Sequence, residues 1–155
     1  MAGTEMGAAA QELAERVGKG MFARDAASRG LGMVLESISP GHACMTMRVR
    51  DDMLNGHGSC QGGFIFCLAD STFAFACNSR NEVTVAASCD IDFIRPGQRG
   101  ELLRAEGVER AVAGRSGVYD VTVRNPEGEV VALFRGKSRR IRGEVVPASE
   151  SNGAG

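Results

Sequence analysis

The segment FIFCLADSTFAFACN, residues 64–78, decides the fold of this chain of 155 residues. Its apolar residues occupy every side of a helical projection, and it has neither the alternation nor the β-branched enrichment of a strand. The pattern predicts a buried helix. Strand-like segments surround this helix, but a sheet covers only part of a helix surface. We therefore expect the remaining apolar face to pack against a second copy of the chain in a homodimer.

The flanking segments predict an α+β domain in which an antiparallel sheet wraps around the central helix. An extra N-terminal helix over 9–28, stopped near Gly30, is followed by a hairpin of strands over 31–40 and 42–50. Four strands follow the central helix, over 82–94, 101–112, 118–124 and 130–142. We expect these four to pair in meander order. We expect residues 1–155 to form a single domain, ordered over about 9–146, with flexible termini.

Composition and charge exclude several classes of function. A hydrophobic content of 43%, a charged content of 24% and a net charge of −1 give no bias toward nucleic acid. Five cysteines without CxxC spacing predict buried thiols rather than a disulfide framework or a zinc site, so we expect no metal. The N-terminus lacks the pattern of a signal peptide, and no apolar run is long enough to span a bilayer. We expect a cytoplasmic protein without nucleic-acid or membrane partners.

Two features of the central helix suggest chemistry. Asp70 lies in an apolar stretch, where an unpaired carboxylate is costly or has a raised pKa. It could face water at a helix edge, take part in a structural network, or act as an acid or base. Gly62 and Gly63 lie at the expected helix start, where free N–H groups can polarise a carbonyl oxygen, although a tight loop also favours glycine.

The spacing of these features favours a site shared between two chains. Eight helical residues separate Gly62 from Asp70 by about 12 Å, too far for both to serve one carbonyl within one chain. The chain has no GxSxG, HExxH, P-loop or GxGxxG motif. Thioester hydrolysis fits such a site, because a thiolate leaves readily without a strong general acid. Asp70 would activate water or attack the carbonyl itself.

Four stretches together resemble a known family over about residues 21–141: LNGHGSCQGGFIFCLADSTFAFACNS, SCDIDFIRPG, GVYDVTV and VALFRGKSRRI. They are similar to the hotdog-fold acyl-CoA thioesterases, most of all to those of phenylacetic acid degradation. The resemblance implies a hotdog fold, homodimers paired into a homotetramer, and hydrolysis of aryl- or arylacetyl-CoA, with ring-hydroxylated phenylacetyl-CoA as the expected substrate. It implies no cofactor, because coenzyme A is part of the substrate.

The resemblance also implies roles for four residues. Asn55 would orient the thioester or the water, and the N–H of Gly62 would polarise the carbonyl. Asp70 would come from the neighbouring chain as base or nucleophile. Ser88 could hold the water, although a strand hydroxyl can equally bond within its own sheet.

One position departs from the family, which commonly has HGG where this chain has Gln61-Gly62-Gly63. Gln61 donates hydrogen bonds but carries no charge. We expect Gln61 and Gly63 to contact substrate, and His57 to brace the loop. If the family's imidazole is essential, the chain is instead a non-catalytic acyl-CoA-binding module. An enoyl-CoA hydratase is a further alternative, but the Asp/His pair of such enzymes cannot be placed here.

The segment RGKSRRIR supplies cations for the phosphates of coenzyme A. Strand alternation puts Arg135, Lys137 and Arg139 on one face, where they could bind phosphate or simply keep the strand solvated. Asp90 and Asp92 share a strand face with Ser88 and are expected to face solvent. The acyl pocket is expected to involve four apolar residues, Met53, Phe64, Phe66 and Phe73.

Overall fold

The computed structural model describes residues 1–148 and contains three α-helices and six strands. The elements are α1 (Ala2–Arg24), α2 (Ala26–Gly30), β1 (Val34–Ser39), β2 (His42–Arg48), α3 (Gly62–Asn78), β3 (Glu82–Phe93), β4 (Leu102–Ala113), β5 (Ser116–Arg124) and β6 (Val130–Glu144), with a short 3-10 helix at Asp51–Met53. Residues 149–155, which fall in the predicted flexible C-terminus, lie outside the described residues. None of the helices in the described range is long and apolar enough to span a bilayer.

Helix α3 is the centre of the fold. All six strands form one antiparallel sheet, and α3 packs against β2, β3, β4 and β5. Its Phe73 is fully buried between the rings of Tyr119 and Phe134. Phe73 also lies so close to Gly136 that a Cβ there would come within 2.7 Å of the ring, so only glycine fits. The predicted α+β hotdog fold, with a sheet around a central helix, is confirmed.

The N-terminal helix is longer than the sequence predicts and is interrupted. Helix α1 begins at Ala2 rather than near residue 9, so residues 2–8 continue the helix, with exposed side chains. The interruption falls at Asp25, whose carboxylate accepts a hydrogen bond from the N–H of Ser28 at 2.9 Å and caps α2. The predicted stop is found, since α2 ends at Gly30.

The predicted meander of the last four strands is wrong for its first member. The strand order is β1-β2-β4-β5-β6-β3, so β4, β5 and β6 form a meander but β3 pairs with β6 at the far edge. Residues 94–101, which resemble a hairpin turn, instead cross from the β6 side of the sheet to the β2 side. The crossing runs past the start of α3, because the N–H of Cys60 donates to the carbonyl of Gly97 at 2.8 Å.

Candidate active site

The loop before α3 is organised by Asn55. Its Oδ1 accepts hydrogen bonds from the backbone N–H of His57 at 2.9 Å and from that of Ser59 at 3.2 Å. Its own N–H donates to the carbonyl of Ser59 at 2.8 Å. These bonds close the turn in the way that Asx motifs do. Asn55 therefore braces the loop, the task expected of His57, whose exposed side chain makes no hydrogen bond within residues 1–148.

The start of α3 presents two open backbone donors. Gln61 is the N-cap and Gly62 the first helical residue, and the side chain of Gln61 does not cap the helix. The N–H of Gln61 donates to the carbonyl of Met53 and that of Phe64 to the carbonyl of Gln61. In the part of the chain that the structure describes, the N–H groups of Gly62 and Gly63 have no acceptor. These groups can therefore donate to a substrate carbonyl, assisted by the positive end of the helix dipole.

A side chain introduced at position 63 would have free space, whereas one introduced at position 62 would meet Phe93. Among residues 1–148, no neighbouring side chain or loop atom lies within 4 Å of a Cβ built at Gly63. A Cβ at Gly62 would lie 3.0 Å from the Cζ atom of Phe93. Gly63 and the exposed Gln61 thus border open space beside the two donors, which suits the substrate contacts expected of them.

Asp70 lies on the side of α3 that the sheet leaves uncovered. This side is formed by residues at helical spacing, Gly63, Cys67, Asp70 and Ala74, each exposed or half-buried. Burial raises the pKa of the Asp70 carboxyl. Within residues 1–148 the carboxylate makes no hydrogen bond and no ion pair. A half-buried acid without a partner is typical of a functional group rather than a structural network.

The thiols around Asp70 show what this side of α3 faces. Burial raises the pKa of Cys67 and of Cys89, and the charge of Asp70 raises both further. Asp70 is therefore close to β3, the edge strand that carries Cys89. The expectation of five buried thiols is wrong for Cys67, which is exposed because it lies on the uncovered side of α3, and Cys89 is only half-buried.

Ser88 is not brought to Asp70 within one chain. Ser88 pairs with Lys137 in the β3–β6 ladder, and directly opposed residues point to the same face of a sheet. Lys137 is exposed, whereas its neighbours Gly136 and Ser138 are buried beneath α3. Ser88 therefore lies on the outer face, away from the helix. Cys89 has the inward position next to it.

The three predicted cations do share the outer face, but they are not equivalent. Arg135, Lys137 and Arg139 are all exposed on β6. The guanidinium of Arg135 donates twice to Asp120, at 2.7 and 2.9 Å, and this contact holds the pKa of Asp120 below its usual range. Lys137 and Arg139 have no acidic partner in the range 1–148. Of the three predicted cations, Lys137 and Arg139 are thus the two that no acid within residues 1–148 prevents from binding an anion.

The residues expected to form the acyl pocket are mostly core residues. Met53 and Phe73 are fully buried, and Phe66 packs edge-on against Phe134. The apolar surface that is open near Gly62 comes instead from Phe93 and Ile94. Sequence reasoning missed this pair, although alternation along β3 places Phe93 on the same inward face as Cys89 and Ile91.

Comparison with known proteins identifies the family of this chain. The sequence profile of the thioesterase superfamily matches residues 57–132. The chain is 47% identical over 125 residues to the acyl-coenzyme A thioesterase PaaI of Escherichia coli K12, an alignment that covers 81% of this chain and 89% of that protein. The structure matches that of E. coli PaaI with a TM-score of 0.85 at 45% identity, covering 86% of this chain and 97% of the other.

A second solved structure is similar over a shorter length. A protein of Streptococcus mutans bound to acetyl-CoA matches with a TM-score of 0.69 at 28% identity, covering 72% of this chain and 90% of the other. Sequence identity over most of the chain, together with a sheet wrapped around a central helix, shows that the chain belongs to the thioesterase superfamily.

Proposed function

We propose that this thioesterase hydrolyses aryl- and arylacetyl-CoA, with ring-hydroxylated phenylacetyl-CoA as the expected substrate, to the free acid and coenzyme A in phenylacetate degradation. The observation that carries the proposal is Asp70, a half-buried carboxylate with a raised pKa and no partner within residues 1–148. The similarity to PaaI, a protein of the phenylacetic acid degradation operon, supports an arylacetyl group as the acyl group of the substrate. The acetyl-CoA in the Streptococcus mutans relative supports a CoA ester.

The site requires two chains, because Gly62 and Asp70 of one chain are about 12 Å apart along the same helix. In the proposed homodimer, the uncovered side of α3 packs against the partner, and each chain supplies one half of each of two sites. The unpaired edge of β3 borders this side of α3 and extends the contact. Pairing of dimers into a homotetramer and the cytoplasmic location stay predictions.

Hydrolysis then proceeds with the carbonyl oxygen bound at the N–H of Gly62. The partner subunit's Asp70 takes a proton from a water molecule as the water oxygen bonds to the carbonyl carbon. The negative charge that develops on the former carbonyl oxygen is stabilised by the donors at the start of α3. Collapse of the tetrahedral intermediate breaks the C–S bond, and the proton held by Asp70 passes to the leaving thiolate. Incorporation of oxygen-18 from water into Asp70 during a single turnover would identify it as a nucleophile instead.

The loop and the outer face of the sheet supply the remaining contacts. Asn55 keeps the loop closed next to the donors, which is how it positions the thioester. Gln61 and Gly63 border the bound acyl thioester. Lys137 and Arg139 bind phosphates of coenzyme A, whereas Arg135 is held by Asp120. Ser88 has no part in holding the water within its own chain, because it lies on the other face of the sheet.

The test is the variant Asp70→Asn, assayed with phenylacetyl-CoA and a thiol reagent that detects free coenzyme A. Loss of the carboxylate should lower kcat at least about 100-fold. The matched control is Asp90→Asn, the same substitution at an exposed residue on the outer face of β3, which should hydrolyse at the wild-type rate. Near wild-type turnover by Asp70→Asn would contradict the mechanism. Tight binding of CoA esters without turnover by the wild-type protein would favour a non-catalytic binding module, and loss of enoyl-CoA absorbance would favour a hydratase.

A further inference from the structure

A cavity of about 270 Å³ opens beside the first residue of α3. It is lined by Arg95 and by six uncharged residues, Cys60, Gly62, Ile65, Phe93, Ile94 and Pro96. Phe93 and Ile94 are 52% and 50% exposed although they are large apolar residues. Both come from the end of β3 and the crossing segment 94–101, so the unusual path of the chain creates this surface. The cavity adjoins the N–H that is proposed to bind the carbonyl oxygen.

Phe93 is the side chain that joins the cavity to the donor. Its Cζ and Cε1 atoms lie 3.0 and 3.3 Å from the position that a Cβ of Gly62 would occupy. The ring therefore lies where a side chain at position 62 would be, an approach that the absence of a side chain on Gly62 permits. A group attached to a carbonyl bound at this amide would extend over the ring of Phe93.

The size and chemistry of the cavity suit an aromatic ring. A cavity of about 150 Å³ lined by apolar side chains is known to hold benzene, so the volume here is sufficient for an aryl group with a short linker. Arg95 is the one charged residue of the lining, and its guanidinium already has partners. Its Nη1 donates a hydrogen bond to the carbonyl of Val130 at 3.2 Å, and its Nε forms an ion pair with Glu129 at 3.2 Å. Aromatic rings packed offset or edge-on add attraction beyond the area that they bury.

We infer that this cavity binds the acyl group and that Phe93 determines the preference for aromatic acyl groups. The inference rests on the proposed function and adds the position of the acyl group to it. The CoA arm is a poorer occupant, because its amides require polar partners and its phosphates require cations. Lys137 and Arg139, which have no acidic partner within residues 1–148, lie on the outer face of β6, away from the cavity.

The experiment compares Phe93→Ala with wild type for phenylacetyl-CoA and acetyl-CoA. Loss of the ring should lower kcat/KM for phenylacetyl-CoA about tenfold or more and leave kcat/KM for acetyl-CoA nearly unchanged, because a methyl group buries far less apolar area against the ring than a phenyl group does. The matched control is Leu133→Ala, which removes an apolar side chain of similar exposure, 45%, from the outer face of the neighbouring strand. It should change neither value. Thermal unfolding of each variant verifies that it is folded.

The outcomes separate this inference from the proposed function. A wild-type protein that hydrolyses neither ester contradicts the proposed function itself. An active wild type whose Phe93→Ala variant loses both activities equally overturns the inference, since Phe93 would then contact the CoA arm or support Gly62. The inference is also overturned if Phe93→Ala keeps wild-type kcat/KM values for both phenylacetyl-CoA and acetyl-CoA.

Discussion

The substitution Gly62→Pro tests the proposed carbonyl site by removing one hydrogen-bond donor. Proline has no N–H, and it is well tolerated at the first position of a helix, which is the position of Gly62. The residue before it, Gln61, has φ −55° and ψ 131°, an extended conformation that precedes proline readily. The N–H of Gly62 donates to no acceptor within residues 1–148, so the change sacrifices no hydrogen bond of the described fold.

The expected loss of activity is large and the loss of stability small. Removing one donor from an oxyanion site lowers kcat by about 10² to 10³, or about 3 to 4 kcal/mol of transition-state stabilisation. Proline restricts the unfolded chain and so stabilises the fold by about 0.4–1 kcal/mol. Contact of the new Cβ with Phe93 at 3.0 Å opposes this gain. We expect the two effects to leave Tm within a few degrees of wild type.

The variant Gly62→Ala separates the donor from the steric contact. It introduces a Cβ at the same position but keeps the N–H, so it reports the effect of the contact with Phe93 alone. Steady-state hydrolysis of phenylacetyl-CoA should fall less than about tenfold for Gly62→Ala and at least about 100-fold for Gly62→Pro. Equal kcat values for the two folded variants would refute the assignment of Gly62 as the donor.

Three further predictions address assembly, ionisation and substrate charge. Mixing Gly62→Pro with Asp70→Asn chains should restore about a quarter of wild-type activity, because half of the randomly formed dimers have one intact shared site; no activity above that of the separate variants would place each site within one chain. Burial raises the folded-state pKa of Asp70, so its ionisation destabilises the fold as pH rises through that raised pKa. Asp70→Asn should therefore melt above wild type at pH 7 and equal to it at a pH below the ordinary aspartate pKa, and a lower Tm at pH 7 would be inconsistent with an unpaired acid. Combined Lys137→Ala and Arg139→Ala should raise KM for CoA thioesters severalfold and weaken its dependence on salt, whereas unchanged values would exclude these cations as phosphate contacts.

Local periodicity was sufficient to predict the central helix but not the partner of β3. A helix that is apolar on all sides can only be buried, whatever the connections around it. The partner of a strand depends on where the next connection goes, and residues 94–101 are long enough either to turn back or to cross the helix. Their Pro96-Gly97 pair is typical of a turn, and the hydrogen bond from Cys60 to Gly97 that reveals the crossing joins residues far apart in sequence.

The candidate site could be predicted where its residues depend on helix geometry. The positions of Gly62 and Asp70 follow from their spacing along one helix, and within residues 1–148 the N–H of Gly62 has no acceptor and the carboxylate of Asp70 no partner. The direction of the Ser88 side chain depends on the alternation of side chains along β3. The same alternation that turns Asp90 and Asp92 toward solvent also turns Ser88 to the outer face. The pairing of Arg135 with Asp120 depends on the register between β5 and β6, which local sequence does not define.

The crossing segment explains both the strand order and the shape of the site. Because residues 94–101 pass the start of α3, they carry Phe93 and Ile94 to Gly62, which a hairpin between β3 and β4 would not do. A Cβ built on Gly97 would lie 3.3 Å from side-chain atoms of Cys60 and Leu103. The segment is therefore packed closely against the loop that Asn55 closes. The donor and the cavity therefore belong to one rigid unit of a single chain. Asp70 lies about two helical turns away on the uncovered side of α3, and in the proposed dimer its carboxylate, which has no partner within residues 1–148, acts on a neighbouring copy of that unit. In the proposed dimer, activity and dimer formation thus depend on the same face of the same helix.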